Sequence, residues 1–169
     1  MIKQVSVIGP NKSACTDEIY SLGIQLGQAL AQRDLTIITG GMEGFMEAVF
    51  KGAHRYENYR KGSTIGILPF LEKERANPYC DVIIPSGIGF ARNQLVVSAG
   101  DLLIAVGGGA GTLSEIAFAW QFNKRVICYK GLGGWSEKLA GLDLDNRKSN
   151  LLLEANSIPA ILNILDNER

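Results

Sequence analysis

Residues 105–115 read AVGGGAGTLSE. An apolar, strand-like run ends in Gly107, Gly108, Gly109 and Gly111, and Thr112 and Glu115 follow on what reads as the first turns of a helix. A glycine-rich strand exit that feeds a helix start offers unpaired backbone N–H groups and the positive end of the helix dipole, which together suit a phosphate or another oxyanion. Thr112 either adds a hydroxyl to those donors or caps the helix. The string has no GK[ST] of a Walker loop and is shorter than a full GxGxxG dinucleotide fingerprint. Glu115 is either a carboxylate for chemistry on a bound ligand or a solvated acid that complements the dipole.

Two other segments share this design. SGIGFARNQ at 86–94 leads into a helix with Arg92 and Asn93 in its first turn. A cation gains nothing from the dipole there, so a ligand anion or a partner carboxylate accounts for Arg92. GGMEGFMEAV at 40–49 sets Gly40 and Gly41 where their N–H groups can face a ligand, with Phe45 and Met46 expected to pack under the sheet. Gly9, before Pro10, ends the first apolar run in the same manner. Elsewhere, His54 beside Arg55 reads as a surface residue. Cys15, Cys80 and Cys128 read as reduced and partly buried, with no spacing that suits a disulfide framework or a zinc site, and no metal ligands are expected.

Such exits require strands to end at one edge. Short β-branched runs occur at 5–9, 35–40, 64–69, 81–85, 101–107 and 125–131, and several are apolar throughout. Helical spacing separates them: Ile19, Leu22, Leu26 and Leu30 follow a Thr16 cap, and further helices are expected at 43–54, 91–99, 112–122 and 158–165. Alternating strands and helices with fully apolar strands predict an α/β fold, a single doubly wound (Rossmann-like) domain over 1–169 with a mainly parallel sheet and helices on both faces. Ligands of such sheets bind beyond the carboxyl ends of the strands, where these glycines fall. Residues 131–149 are polar and glycine-rich and read as a lid, with Trp135 as a ring-stacking surface, or as a connecting loop.

Seventeen Lys plus Arg balance seventeen Asp plus Glu among 169 residues. A formal charge of zero leaves no footprint for nucleic acid or an anionic membrane, so a bound anion must be met locally. The start, MIKQVSVIGP, lacks the apolar core of a signal peptide, and no apolar run is long enough to cross a bilayer; the expectation is a cytoplasmic protein.

The ordered set GGMEGFMEAVFKGA, TIGILP, ANPY, IGFARNQLVVSAGD and GGGAGTLSEIAFAW resembles the superfamily of the cytokinin-activating LOG phosphoribohydrolases, long labelled lysine-decarboxylase-like. Within it the sequence looks most like the branch of the molybdenum cofactor carrier proteins. The shared motif of the phosphoribohydrolases is an Arg-Lys pair followed by PGGxGTxxE, in which the Arg and the last Glu are catalytic. Arg92 and Glu115 fall on those two positions, whereas Asn93 replaces the Lys and Val106 the Pro. The lost lysine weakens the case for nucleotide hydrolysis. The decarboxylase label has little support, because no lysine at a strand exit except Lys130 has the company of a Schiff-base residue.

The resemblance implies, first, a carrier that holds the molybdenum cofactor (molybdopterin) or a related pterin phosphate. Its binding residues would be Gly9, Gly40, Gly41, Arg92, Asn93, Gly107, Gly108, Gly109, Gly111 and Thr112. Its partners would be that anionic small molecule and molybdenum enzymes or cofactor-synthesis proteins. The alternative is a phosphoribohydrolase of nucleoside 5′-monophosphates, with Arg92 and Glu115 catalytic. Either way the resemblance implies a homo-oligomer, dimer or tetramer. Phe118, Trp120 and Phe122, which face different directions around one helix, add modest support.

Overall fold

The computed structural model describes residues 2–147 and 149–168. Its strands are β1 (Gln4–Ile8), β2 (Thr36–Thr39), β3 (Thr64–Leu68), β4 (Val82–Pro85), β5 (Leu102–Val106), β6 (Val126–Tyr129) and β7 (Leu152–Ala155). Its α-helices are α1 (Asp17–Ala31), α2 (Phe45–Ala53), α3 (Arg92–Ala99), α4 (Ala110–Gln121), α5 (Gly134–Leu139) and α6 (Ile158–Asn167). The sheet order is β4-β3-β2-β1-β5-β6-β7, and every neighbouring pair is parallel.

The apolar runs that form β1, β2, β3, β5 and β6 are covered on both faces of the sheet, whereas β4 lies on its edge with Val82 and Ile84 exposed. Successive side chains alternate between faces. Val5, Val7, Ile37, Leu102, Ile104 and Ile127 join the core under α1, α2 and α6, while Ile8, Ile38, Leu103, Ala105, Val126 and Cys128 join the core under α3 and α4. This is the doubly wound α/β architecture expected from the sequence. Helices α1 and α2 touch backbone to backbone through glycine: a Cβ on Gly27 would lie 1.8 Å from the Val49 carbonyl oxygen, and one on Gly52 would lie 2.0 Å from that of Ile24. Thr16 caps α1 by accepting the Ile19 N–H at 3.3 Å, and Ser157 caps α6 by accepting the Ala160 N–H at 3.3 Å.

Two elements depart from the sequence reading. Leu152–Ala155 adds a seventh strand on the edge beside β6, although no strand is expected there. Within 131–149, Gly134–Leu139 forms helix α5. That helix is pinned behind the glycine loop, because Trp135 N–H donates to the Gly108 carbonyl and Ser136 N–H to that of Gly107, both at 3.0 Å. Trp120 goes into the core at 1% exposure, whereas Phe122, just beyond α4, is 37% exposed with its ring stacked on Phe118. No helix among the described residues is long and apolar enough to cross a membrane.

Candidate functional site

Strand β1 lies between β2 and β5, so the sheet grows outward in opposite directions from it. The crevice at the carboxyl ends of strands flanking such a reversal is where doubly wound sheets take ligands. A cleft of about 280 Å³ opens there. The exit of β1 supplies Gly9, Pro10 and Asn11, and the exit of β2 supplies Gly40 and Met42. The turn into α3 supplies Phe90, Arg92 and Asn93, and the start of α4 supplies Gly109 to Thr112 and Glu115. Among the described residues, Arg92 and Glu115 are the only charged ones in this lining.

Those two side chains face each other across α3 and α4. Arg92 Nη1 lies 3.5 Å from Glu115 Oε1, with side-chain exposures of 11% and 8%. Burial pushes the Glu115 carboxyl up to about 7, and Arg92 opposes that rise only in part. Burial also lowers the Arg92 pKa against the opposing pull of Glu115. Arg92 Nη1 donates to Asn93 Oδ1 at 2.8 Å, while the buried Nε has no hydrogen-bond partner among the described residues. A solvated first-turn role for Glu115 is therefore overturned: the carboxylate is buried beside one incompletely bonded cation.

The expected binding residues divide into two groups. Gly9, Gly40, Arg92, Asn93, Gly109, Gly111 and Thr112 line the cleft, and Gly41, Gly107 and Gly108 lie outside its lining. The three outside have φ of 70°, 55° and 85°, a region that glycine occupies without strain, so they shape the turns behind the cleft. Gly40 is packed on the guanidinium, since a Cβ there would lie 2.4 Å from Arg92 Nη2. A Cβ on Gly109 would meet nothing within 4 Å, so that position opens into free space at the head of α4. Helix α4 has no side-chain cap and no acid in its first turn. Its leading N–H groups and dipole are available to an oxyanion.

Several cleft residues were not singled out from the sequence. Phe90 is 91% exposed at the cleft, and Asn11, Ala14 and Met42 also line it. A single aromatic in a turn has no periodicity to mark it. Met46 is buried, as expected, but also reaches the cleft. Trp135 is absent from the lining and instead carries Lys138 Nζ 4.7 Å from its ring centre. His54 is exposed, as expected, with its Nε2 3.5 Å from Asp81 Oδ1 and its ring tilted against Tyr59, away from the cleft. The three cysteines are free, and burial pushes the thiols of Cys80 and Cys128 up to about 12.

The sequence matches the SLOG cluster4 family over residues 2–161. Among solved structures, the molybdenum cofactor binding protein from the phototrophic bacterium Rippkaea orientalis superposes with a TM-score of 0.84 at 32% identity, over 99% of this chain and 98% of that one. The molybdenum cofactor carrier protein from Chlamydomonas reinhardtii superposes with a TM-score of 0.82 at 28% identity, over 98% and 97% of the two chains. A cytokinin riboside 5′-monophosphate phosphoribohydrolase of Mycobacterium tuberculosis is 31% identical over 106 residues, which span 61% of this chain and 54% of the relative.

Proposed function

We propose that this chain, which belongs to the SLOG cluster4 family, is a cytoplasmic carrier that binds the molybdenum cofactor or a related pterin phosphate in the cleft at the head of α4. The observation that carries this reading is the pairing of an uncapped helix start with one buried, under-bonded guanidinium. Such a site supplies neutral donors and one cation to an oxyanion. The residues fit the group: the unpartnered Arg92 Nε is a vacant donor, and the open space at Gly109 admits close approach to the α4 amides. Arg92 and the N–H groups from Gly109 to Thr112 would hold its phosphate and other oxyanionic groups. The bound cofactor would bring its metal's redox chemistry to whichever molybdenum enzyme or cofactor-synthesis protein receives it. Near-complete overlap with the two cofactor-binding neighbours supports this choice.

One observation favours a second reading. A buried carboxyl raised to about 7 beside a guanidinium is also what an N-glycosidic phosphoribohydrolase would use. In its ionised form Glu115 would stabilise the positive charge that develops on the ribosyl carbon, and Arg92 would hold the phosphate.

The deciding experiment incubates the protein with AMP and other nucleoside monophosphates, with chromatography for free base. In parallel, protein purified from cofactor-producing cells is heated and oxidised. The carrier reading expects a fluorescent oxidised pterin and no base release. Base release that disappears in Glu115→Gln overturns it in favour of the hydrolase. A homo-oligomer, dimer or tetramer, belongs to the proposal. It is supported by open apolar side chains at Leu95 on α3 and Phe122 at the end of α4, and a monomer by light scattering at micromolar concentration overturns it.

A further inference from the structure

Asn93 is buried in the first turn of α3, and both ends of its amide are engaged within the protein. Oδ1 accepts from Arg92 Nη1 at 2.8 Å, Nδ2 donates to Ser114 Oγ at 2.9 Å, and Ser114 Oγ donates to the Gly111 carbonyl at 2.7 Å. The direction of this chain is fixed by donor and acceptor chemistry. A serine hydroxyl that has given its proton to Gly111 offers Asn93 only lone pairs, so the amide nitrogen turns to Ser114 and the amide oxygen to the guanidinium. Arg92 is thereby tied through two side chains to the first turn of α4.

Glu115 competes for the same nitrogen. Its Oε1 stands 3.5 Å from Nη1, beyond the 2.8 Å of the bond to Asn93 and beyond the roughly 2.7 to 2.9 Å of a charge-assisted bond. A buried guanidinium and carboxylate free to meet would close into a short pair, satisfying each other. Here the neutral amide holds the cation off the acid. Packing on the guanidinium limits other escapes, with Met42 Sδ 4.0 Å from Nη2 and Gly40 so close that a side chain there would overlap it.

We infer that Asn93, oriented by Ser114, is a positioning residue that withholds Arg92 from Glu115 and so keeps the guanidinium open to an oxyanion in the cleft. Asn93 then acts through Arg92, and not as the direct ligand donor that its place in the motif implies. The raised Glu115 carboxyl agrees with this, because a fully engaged guanidinium would hold it low. Among the described residues, Arg92 is the only other charged group in the cleft lining. The ligand half of the inference rests on the proposed anion site; the relay itself does not.

The test titrates the Glu115 carboxyl by 13C NMR in the full-length protein, in Asn93→Leu and in Ser114→Ala, with the resonance assigned by its loss in Glu115→Gln. Leucine keeps the bulk of asparagine without its acceptor. The expected result is a fall in the Glu115 pKa of about one unit or more in Asn93→Leu, as Arg92 closes on the acid, and a smaller fall in Ser114→Ala. AMP, used as the phosphate-ester probe, should bind Asn93→Leu about tenfold more weakly. A Glu115 pKa unchanged or raised in both variants overturns the inference. If Asn93→Leu is insoluble, the Ser114→Ala titration decides alone. If the pKa falls as expected but AMP and oxidised pterin phosphate bind none of the proteins, the relay stands and the anion-site reading fails.

Discussion

Helices α1 and α4 begin in opposite ways. At α1 the Thr16 hydroxyl accepts the Ile19 N–H, and Asp17 and Glu18 answer the dipole from within the first turn. At α4 the cap position is Gly109, no side chain accepts from the leading amides, and no acid lies in the first turn. One end is satisfied by its own sequence and the other is left open at a cleft. An acid also serves differently at the two places: Asp17 and Glu18 are exposed, whereas Glu115 is buried one turn further into its helix. Helices α2, α3 and α5 also start without a side-chain cap, so it is the open start of α4 together with the cleft beside it that marks where a partner from outside the chain is expected.

The largest expected effect that sharpens this contrast comes from the buried acid. The Glu115 carboxyl is raised from its ordinary 4.5 to about 7, so the folded state holds its proton more tightly than the unfolded chain does. Stability is then greatest below about pH 4.5, as far as this group is concerned, and declines as pH rises through about 7. Glu115→Gln should remove that decline, a gain over the parent of up to about 3 kcal/mol at pH 8 and little at pH 4. Urea unfolding across that range checks it, and a parallel pH dependence in the two proteins would contradict it.

Closing the open end comes next. Gly109→Asp installs a capping carboxylate where a Cβ meets no neighbour, so the fold should be kept, with stability raised by a few tenths of a kcal/mol at most. Oxyanion binding should fall at least about a hundredfold, because the new acid takes the amides and repels the ligand. Calorimetric titration with AMP and with oxidised pterin phosphate reads the loss; binding within a factor of two of the parent would show that the α4 amides do not hold the anion. Arg92→Ala should cost about 1.5 to 3 kcal/mol of affinity by the same titration, the usual worth of a charge-assisted bond. At the closed end, Thr16→Ala should lower stability by about 1 kcal/mol and leave ligand affinity unchanged. A matching loss of binding would mean that α1 is coupled to the cleft after all.

The six strand runs read from the sequence all appear: β1, β2, β3, β5 and β6 because strands covered on both faces must be apolar nearly throughout, and edge strand β4, with Val82 and Ile84 exposed, because its run is β-branched. Strand β7 escaped notice for the converse reason. It is four residues long, lies on the sheet edge with a half-open face, and follows a polar stretch ending in Asn150 at φ 58°. Helix α5, six residues headed by glycine, has no periodicity to display. Arg92 was conspicuous as a cation at the wrong end of a helix dipole, but its partner lies 23 residues away, and only packing of α3 on α4 brings the two together. Which glycines face the cleft and which turn the backbone behind it was not legible, since both uses put glycine at a strand exit.

The placement of the cleft at the reversal of strand order has a mechanical consequence. β1 is hydrogen-bonded to β2 on one side and to β5 on the other, with Val5 opposite Ile37 and opposite Leu102. The cleft draws its lining from both sides of that central strand, so a molecule seated there would bridge the first half of the chain to the second as a rivet does two plates. Pulling the halves apart along β1–β5 would have to eject it, and the cargo would therefore act as a reporter of whether the sheet has closed.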